Sequence, residues 1–433
     1  MAATPSPQLP VSSARKLNVK FVITSMPVGG AETLLVNLIR HMDHTAFAPE
    51  VICLKEPGEL GRELAAEVPV YANLLLSKWD VSILPRLSHL LRRGKTDAVI
   101  TVGAGDKMFW GRLAAKAAGV PVICSALHST GWPDGVGRLN RWLTPITDGF
   151  IAVAPPHAKY LAQHERFPAE RVFTIPNGVD LNRFRPNHAQ RAWLRSELGI
   201  ADDAQVVGIV AALRPEKNHA QFIQAAREVL RHFPKTHFVI VGEGSERGAI
   251  EATLADCRRR ANFHLLGSRH DTERILAGLD VFCLTSRNEA NPVSILEALS
   301  CCVAVIAPDV GSISQTVIDG KTGILTKPLR WEDTAAAMLN VLQDPPQAAR
   351  LGRAGRVLVR DYWSLQSMVK GYETLITDIY NVKAELNGRA AWTRPAAEPA
   401  NPSLVNTAST VSASSRNGSP TQRSLSSSDA LTP

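Results

Sequence analysis

Short apolar runs closed by turn residues alternate along this chain with stretches whose apolar positions recur every three or four residues. The first run, Lys20-Phe-Val-Ile-Thr24, has the composition of a buried parallel strand. It leads through the turn Met26-Pro-Val-Gly-Gly-Ala-Glu-Thr33 into an amphipathic helix ending near His41. Further strands are predicted at 49–54, 98–102, 120–124 and 149–153, with helices such as 84–93 and 109–118 between them. That alternation predicts a doubly wound α/β layer around a parallel sheet. At Ile175-Pro-Asn-Gly-Val-Asp-Leu-Asn-Arg-Phe-Arg-Pro186 the pattern gives way to turn residues bracketed by prolines, which reads as a hinge. A second series then begins, with a charged helix at 189–198 and strands at 206–213, 237–241, 262–266, 280–285, 303–307 and 323–326. The prediction is therefore two Rossmann-like, doubly wound domains, over 17–186 and 187–366, followed by a terminal helix at 367–386. The arm 1–16 and the tail 387–433 hold few large apolar residues and are expected to be disordered.

Composition adds bounds to this picture. The 433 residues, 45% of them hydrophobic, can supply the cores of two domains. No apolar run reaches the ~18 residues of a membrane span, and Phe21 to Val28 is too short and polar for a secretory signal. The six cysteines are scattered without Cys-x-x-Cys spacing, as expected of reduced thiols in a cytoplasmic protein. The net charge of +8 is confined to the first half, where 23 Lys and Arg oppose 15 Asp and Glu up to residue 196. Such a field can draw the protein to an anionic lipid surface at the inner membrane face, and it can equally be solvated surface without a role. Nothing in the pattern implies a nucleic-acid partner.

Candidate chemistry concentrates at predicted strand ends. In Glu289-Ala-Asn-Pro-Val-Ser-Ile-Leu-Glu297, Asn291 reads as a helix N-cap and Pro292 as the first helical residue. Glu297 then lies on an apolar helix, where its carboxylate needs strong donors: a pair of sugar hydroxyls, or an arginine. In Ala212-Leu-Arg-Pro-Glu-Lys217, Arg214 and Lys217 stand before a helix N-terminus. They oppose the helix dipole there unless a diphosphate joins them, or Glu216 neutralises one. Gly242 and Gly244 follow a strand and permit close backbone approach to a ligand, and Gly29-Gly30 makes a similar turn. In open α/β sheets ligands bind at such ends. His128 and Asp106 also follow strands; Asp106 reads first as a helix cap.

Taken together, the Glu-x7-Glu stretch, Arg214-x-x-Lys217, the Gly-Gly-Ala-Glu turn at 29–32 and Ile175-Pro-Asn-Gly-Val-Asp180 resemble a family-4 (group 1) retaining glycosyltransferase over about residues 18 to 385. The resemblance implies a GT-B fold, two domains facing across a cleft, with the terminal helix crossing back onto the first. It implies a nucleoside-diphosphate sugar, UDP- or GDP-linked, as donor substrate, with no separate cofactor, and a glycan or lipid-linked hydroxyl as acceptor. By this resemblance Glu297 holds the ribose, Glu289 the donor sugar, and Arg214 and Lys217 the diphosphate. Gly29 or Gly30 lies near the donor phosphate across the cleft, the base lies against Gly267-Ser-Arg269, and His128 faces the transferred sugar. The chain has no Asp-x-Asp pair, so no metal is expected at the diphosphate. Three positions depart from the family pattern: Ala290 and Cys302 replace glycines, and Gln315 replaces an acid. The turn at Cys301-Cys302 is therefore expected to be built differently. An epimerase or hydrolase acting on the same donor, using Asp106 and Asp134, and a non-catalytic binder of nucleotide sugars or lipid surfaces remain alternatives.

Overall fold

A computed structural model describes residues 15–77, 80–103, 105–128 and 140–395, with the side chain of Asp106 excepted. Seven strands, β1 (Leu17–Ile23), β2 (Phe47–Cys53), β3 (Val70–Tyr71), β4 (Ala98–Val102), β5 (Val122–Ala126), β6 (Gly149–Ala152) and β7 (Val172–Thr174), form one sheet. Its order is β3-β2-β1-β4-β5-β6-β7, and every described pairing is parallel. Six more, β8 (Val206–Val210), β9 (His237–Val241), β10 (Phe263–Gly267), β11 (Val281–Cys283), β12 (Ala304–Pro308) and β13 (Ile324–Thr326), form a second parallel sheet. Its order is β10-β9-β8-β11-β12-β13. The inner strands are apolar on both faces because helices cover both, and Val19, Phe21, Val22, Ile100, Val207, Ile209 and Phe282 have no exposed surface. The chain thus folds as two Rossmann-like lobes, the GT-B architecture.

The lobes are joined by two chain crossings that run side by side. Val179 donates its amide to the Trp363 carbonyl and accepts from the Leu365 amide, at 2.9 and 3.1 Å. Gly178 packs here against the backbone of Ser364 and Leu365, where a side chain would collide. The chain there forms two helices, Pro345–Tyr362 and Leu365–Leu386, broken where it crosses; the second is the predicted terminal helix, two residues longer at its start. The second places Leu365, Met368, Tyr372 and Ile376 in the core of the N-terminal lobe. Lys383 closes it down on Asp148 and the Pro121 carbonyl.

Two expectations of disorder are corrected at their margins. Arg15, placed in the arm, makes a bidentate pair with Asp97. In the tail, Trp392 packs on the Phe47 ring and Arg394 pairs with Asp43 and Glu373, so an aromatic anchor fixes the chain beyond Asn387. Residues 1–14 and 396–433 lie outside the described residues.

The turn at Cys301-Cys302 also differs from its expectation. Cys302 has φ +59°, the left-handed conformation a glycine would adopt, so the turn keeps that shape despite the side chain. Gly352 packs against the Cys302 carbonyl and leaves the backbone no room to relax. Cys302→Gly is expected to raise stability by about 0.5–1 kcal/mol, the relief of left-handed strain less the entropy glycine adds to the unfolded chain. Denaturant unfolding measures it, and a destabilised variant would refute it.

Candidate functional site

Each sheet reverses its winding direction between two neighbouring strands, β1 and β4 in the first and β8 and β11 in the second. Crevices open at such switch points, outside the carboxyl ends of the strands. The segments there are 24–30 and 103–107 in one lobe, and 211–217 and 284–289 in the other. The predicted site residues are carried mostly by these four segments and the helices they start.

In the C-terminal lobe, Lys217 Nζ pairs with Glu289 Oε1 at 2.5 Å. Ser286 Oγ donates to the same oxygen at 2.7 Å, while Thr285 Oγ1 donates to the carbonyls of Lys217 and Asn218. The adjacent Thr285 and Ser286 thus tie the cationic loop and the acidic loop into one unit, and both are buried. The Arg287 amide adds a bond to the Glu216 carbonyl. Glu289, not Glu216, is therefore the carboxylate that neutralises a cation here. Arg214 is exposed at the start of the short 3-10 turn Pro215–Lys217. Sequence reading missed Ser286 and Thr285, because hydroxyl residues at a strand end carry no signal until their partners are known. Ser286→Ala is expected to lower kcat about tenfold with little change in KM for the donor, because a misoriented Glu289 affects the reacting geometry more than ground-state binding. Rescue by Ser286→Thr checks it, and an unchanged kcat would refute it.

Glu297 lies on helix Val293–Ser300, partly buried, with no hydrogen bond to its carboxylate among the described residues. Burial pushes its pKa up to about 7; the nearby Arg183 pulls it down and Glu273 pushes it up. Arg183 is itself held by Glu273 and the His270 carbonyl, so the arginine near Glu297 is committed elsewhere. The carboxylate therefore still lacks strong donors.

Across the cleft, Gly29 caps helix Gly30–His41, and the Glu32 side chain folds over the spot where a Gly29 Cβ would stand. Gly30 faces Val293 of the other lobe. Glu32 has its pKa raised by burial, and Lys107 and Arg214, one from each lobe, act to lower it. His128 follows β5. Burial, then His157 and Lys107, lower its pKa to about 4, so the ring is neutral at pH 7, with Nδ1 unpartnered among the described residues. Lys107 is thus a charge neighbour of both Glu32 and His128, and His157, on the helix after β6, is a neighbour of His128. Sequence reading gave Glu32, Lys107 and His157 no role because each belongs to a different strand end.

Some predicted residues serve otherwise. Gly242 and Gly244 adopt φ +143° and +156°, and a side chain at either would strike the carbonyl of Ala211 or Leu213. Their close approach is to the chain itself. They let the turn brace the loop that carries Arg214, with Leu213 and Glu246 amides bonded across it. Arg269 is bonded twice to Asp271 and once to Glu197, so its guanidinium is already occupied by protein carboxylates. Asn291 is no cap. The helix starts at Val293, and Asn291 accepts from the Asn177 side chain of the hinge at 3.0 and 3.3 Å. Asp134 and the side chain of Asp106 lie outside the described residues. Among the described residues, no three His, Cys, Asp or Glu side chains gather as a metal site.

Residues 190–358 match the group 1 glycosyl transferases and residues 28–183 match glycosyltransferase family 4. The chain belongs to the family-4, group 1 glycosyltransferases. Among relatives of this glycosyltransferase, a UDP-Gal:alpha-D-GlcNAc-diphosphoundecaprenol alpha-1,3-galactosyltransferase of Escherichia coli is 27% identical over 350 residues, 77% of this chain and 90% of that one. A GDP-mannose-dependent alpha-(1-6)-phosphatidylinositol monomannoside mannosyltransferase of Mycolicibacterium smegmatis is 26% identical over 345 residues, 77% of this chain and 89% of that one. The fold is shared with Anabaena Alr3699/HepE in complex with UDP-glucose, at TM-score 0.74 and 21% identity over 83% of this chain and 99% of that one. These matches support the transferase among the readings of the chain.

Proposed function

We propose that this glycosyltransferase moves a sugar from a UDP- or GDP-sugar to a hydroxyl of a glycan or lipid-linked acceptor, with retention of anomeric configuration and without a metal ion. The observation that carries the reading is the convergence of Arg214, Lys217 and Glu289 at the β8/β11 switch point, with an unsatisfied Glu297 on the helix that follows. Departure of the nucleoside diphosphate builds negative charge on its terminal oxygen. Arg214 and Lys217 stabilise that charge more in the transition state than in the ground state. Two sugar hydroxyls suit Glu289 once Lys217 turns to the phosphate, and two ribose hydroxyls suit Glu297. A neutral His128 accepts or donates a hydrogen bond to the sugar without adding positive charge beside it. The named relatives, one written with UDP-galactose and the other GDP-mannose-dependent, support the donor class.

A panel of UDP-, GDP- and ADP-sugars scored by thermal stabilisation tests the donor, since only the matching nucleotide binds the folded state tightly. With that donor, acceptor-dependent release of the diphosphate in excess EDTA, and the anomeric configuration of the product, test transfer, metal independence and retention. Stabilisation by no nucleotide would overturn the reading. The enzyme's place is proposed as cytoplasmic, at the inner membrane face; among the described residues no helix is long and apolar enough to cross a membrane. The basic N-terminal half supports contact with anionic lipid. Co-flotation with anionic vesicles that salt abolishes is the expected result, and equal flotation with neutral vesicles would count against it.

A further inference from the structure

A cavity of about 340 Å³ opens between the lobes. Its lining includes His157, Lys159 and Tyr160 of helix Pro155–Gln163, His164 that caps it, and Asn288 and Ser312 of the other lobe. The cavity adjoins the reacting centre at two points. Asn288 precedes Glu289, whose carbonyl accepts from the Ser312 amide at 3.3 Å. His157 is the charge neighbour of His128. Its volume is within the range of small-ligand sites.

The chemistry of the lining is one-sided. Lys159 and His164 are exposed cation formers, and no carboxylate belongs to the lining. Glu165, just past the helix, adds to burial in raising the pKa of the Tyr160 phenol. The half-buried Tyr160 ring stacks on His164 with centroids 4.9 Å apart, a flat face of the kind sugar rings lie against. Beyond His164, Arg141 donates to its carbonyl at 3.1 Å, and the next residue, Trp142, is 78% exposed. A cationic, carboxylate-free pocket with an aromatic face is fitted to an anionic sugar derivative.

We propose that this cavity is the acceptor subsite and that the acceptor carries a phosphate, held by Lys159 and His164 while its sugar lies against Tyr160. The proposal rests on the transferase reading above and deepens it. A phosphate accepts charge-assisted hydrogen bonds from both cationic donors at once. It has two sources, a lipid-linked phosphodiester and a water-soluble sugar phosphate, which share this chemistry.

The test uses three synthetic probes with one sugar: an octyl glycoside, an octyl glycosyl phosphodiester and a methyl glycosyl phosphodiester. Each is titrated calorimetrically into the full chain with the donor site filled by the nucleoside diphosphate that stabilises it. Both phosphodiesters are expected to bind at least tenfold tighter than the glycoside, and Lys159→Glu, with its nucleotide binding retained as the check on folding, is expected to erase the difference. Octyl over methyl preference assigns the lipid-linked source, and equal binding the soluble one. Equal binding of glycoside and phosphodiester, binding of no probe, or a phosphate preference that survives Lys159→Glu overturns the proposal. If no nucleotide binds, the donor reading fails separately, and the same titrations on the unliganded chain still decide the phosphate preference.

Discussion

Lys217→Ala is expected to lower the rate of nucleoside-diphosphate release by about 100-fold or more, the usual cost of removing a group that stabilises a leaving charge. The lysine has two partners to serve. Without a ligand it is paired with Glu289, which would otherwise be a buried carboxylate held, among the described residues, by Ser286. In the proposed complex with a diphosphate, the cation is shared and Glu289 is released to the sugar. Truncation therefore removes the phosphate's cation and leaves a buried acid unpaired. The two losses are coupled, so Lys217→Ala combined with Glu289→Gln is expected to fall well short of the product of the single effects. Steady-state rates on the four proteins, with melting temperatures to confirm folding, measure this. Near-normal release by Lys217→Ala would place the diphosphate elsewhere, and additive losses would mean the two side chains act apart.

Glu297 leads to the second large effect, which has opposite signs in function and stability. Losing its charged hydrogen bonds to a ribose, as in Glu297→Gln, is expected to weaken nucleotide binding by about 10- to 100-fold, from ~1.5–3 kcal/mol for hydrogen bonds to a charged group. Its pKa of about 7 in the fold lies above the usual glutamate value. The folded chain therefore binds more protons than the unfolded one between about pH 4.5 and 7, and stability falls as pH rises through that window. Above pH 7 the strain is fully present. At about 1.4 kcal/mol per unit it is roughly 3 kcal/mol at most, less what solvent screening removes. Glu297→Gln should accordingly melt higher than the parent at pH 8 and bind nucleotide worse. Nucleotide affinity of the parent should rise from pH 6 to 8 as the carboxylate ionises, and lose that slope in the variant. A variant less stable than the parent at pH 8 would show that a partner already satisfies the acid.

The legible parts of this protein were those with strong local periodicity. Strands at 98–102 and 237–241 and the helix at 189–198 match their predicted bounds, because each is a clean apolar or amphipathic run between turn residues. The two strands that escaped notice are Val70–Tyr71 and Val172–Thr174, edge strands of two and three residues, too short to show a period and placed by pairing with a neighbour. Boundaries slipped where tertiary contacts overrode a local signal. Asn291 and Pro292 look like a helix start, yet the asparagine is taken by Asn177 of the hinge, 114 residues away, and the helix begins one residue later than read. At the site, Lys217, Glu289 and Glu297 were legible because charged residues beside apolar elements need an explanation. The glycines at 242 and 244 were legible as special but not as to purpose, since the sequence cannot say whether the close neighbour is a ligand or the chain's own carbonyl. Ser286, Thr285, Glu32 and Lys107 were hidden for a related reason: their meaning is a neighbour from another strand end.

The paired crossings at Val179 and Trp363–Leu365 carry a mechanical consequence. Two bodies attached along one edge by adjacent strands turn about that edge as covers turn about the spine of a book, and other relative movements must shear the ladder of bonds that Val179 makes. Points close to the spine, such as the Asn177 contact to Asn291, hardly travel, whereas the Glu59 and His270 side chains, which meet at 2.8 Å from opposite lobes, form a latch that such a rotation must release.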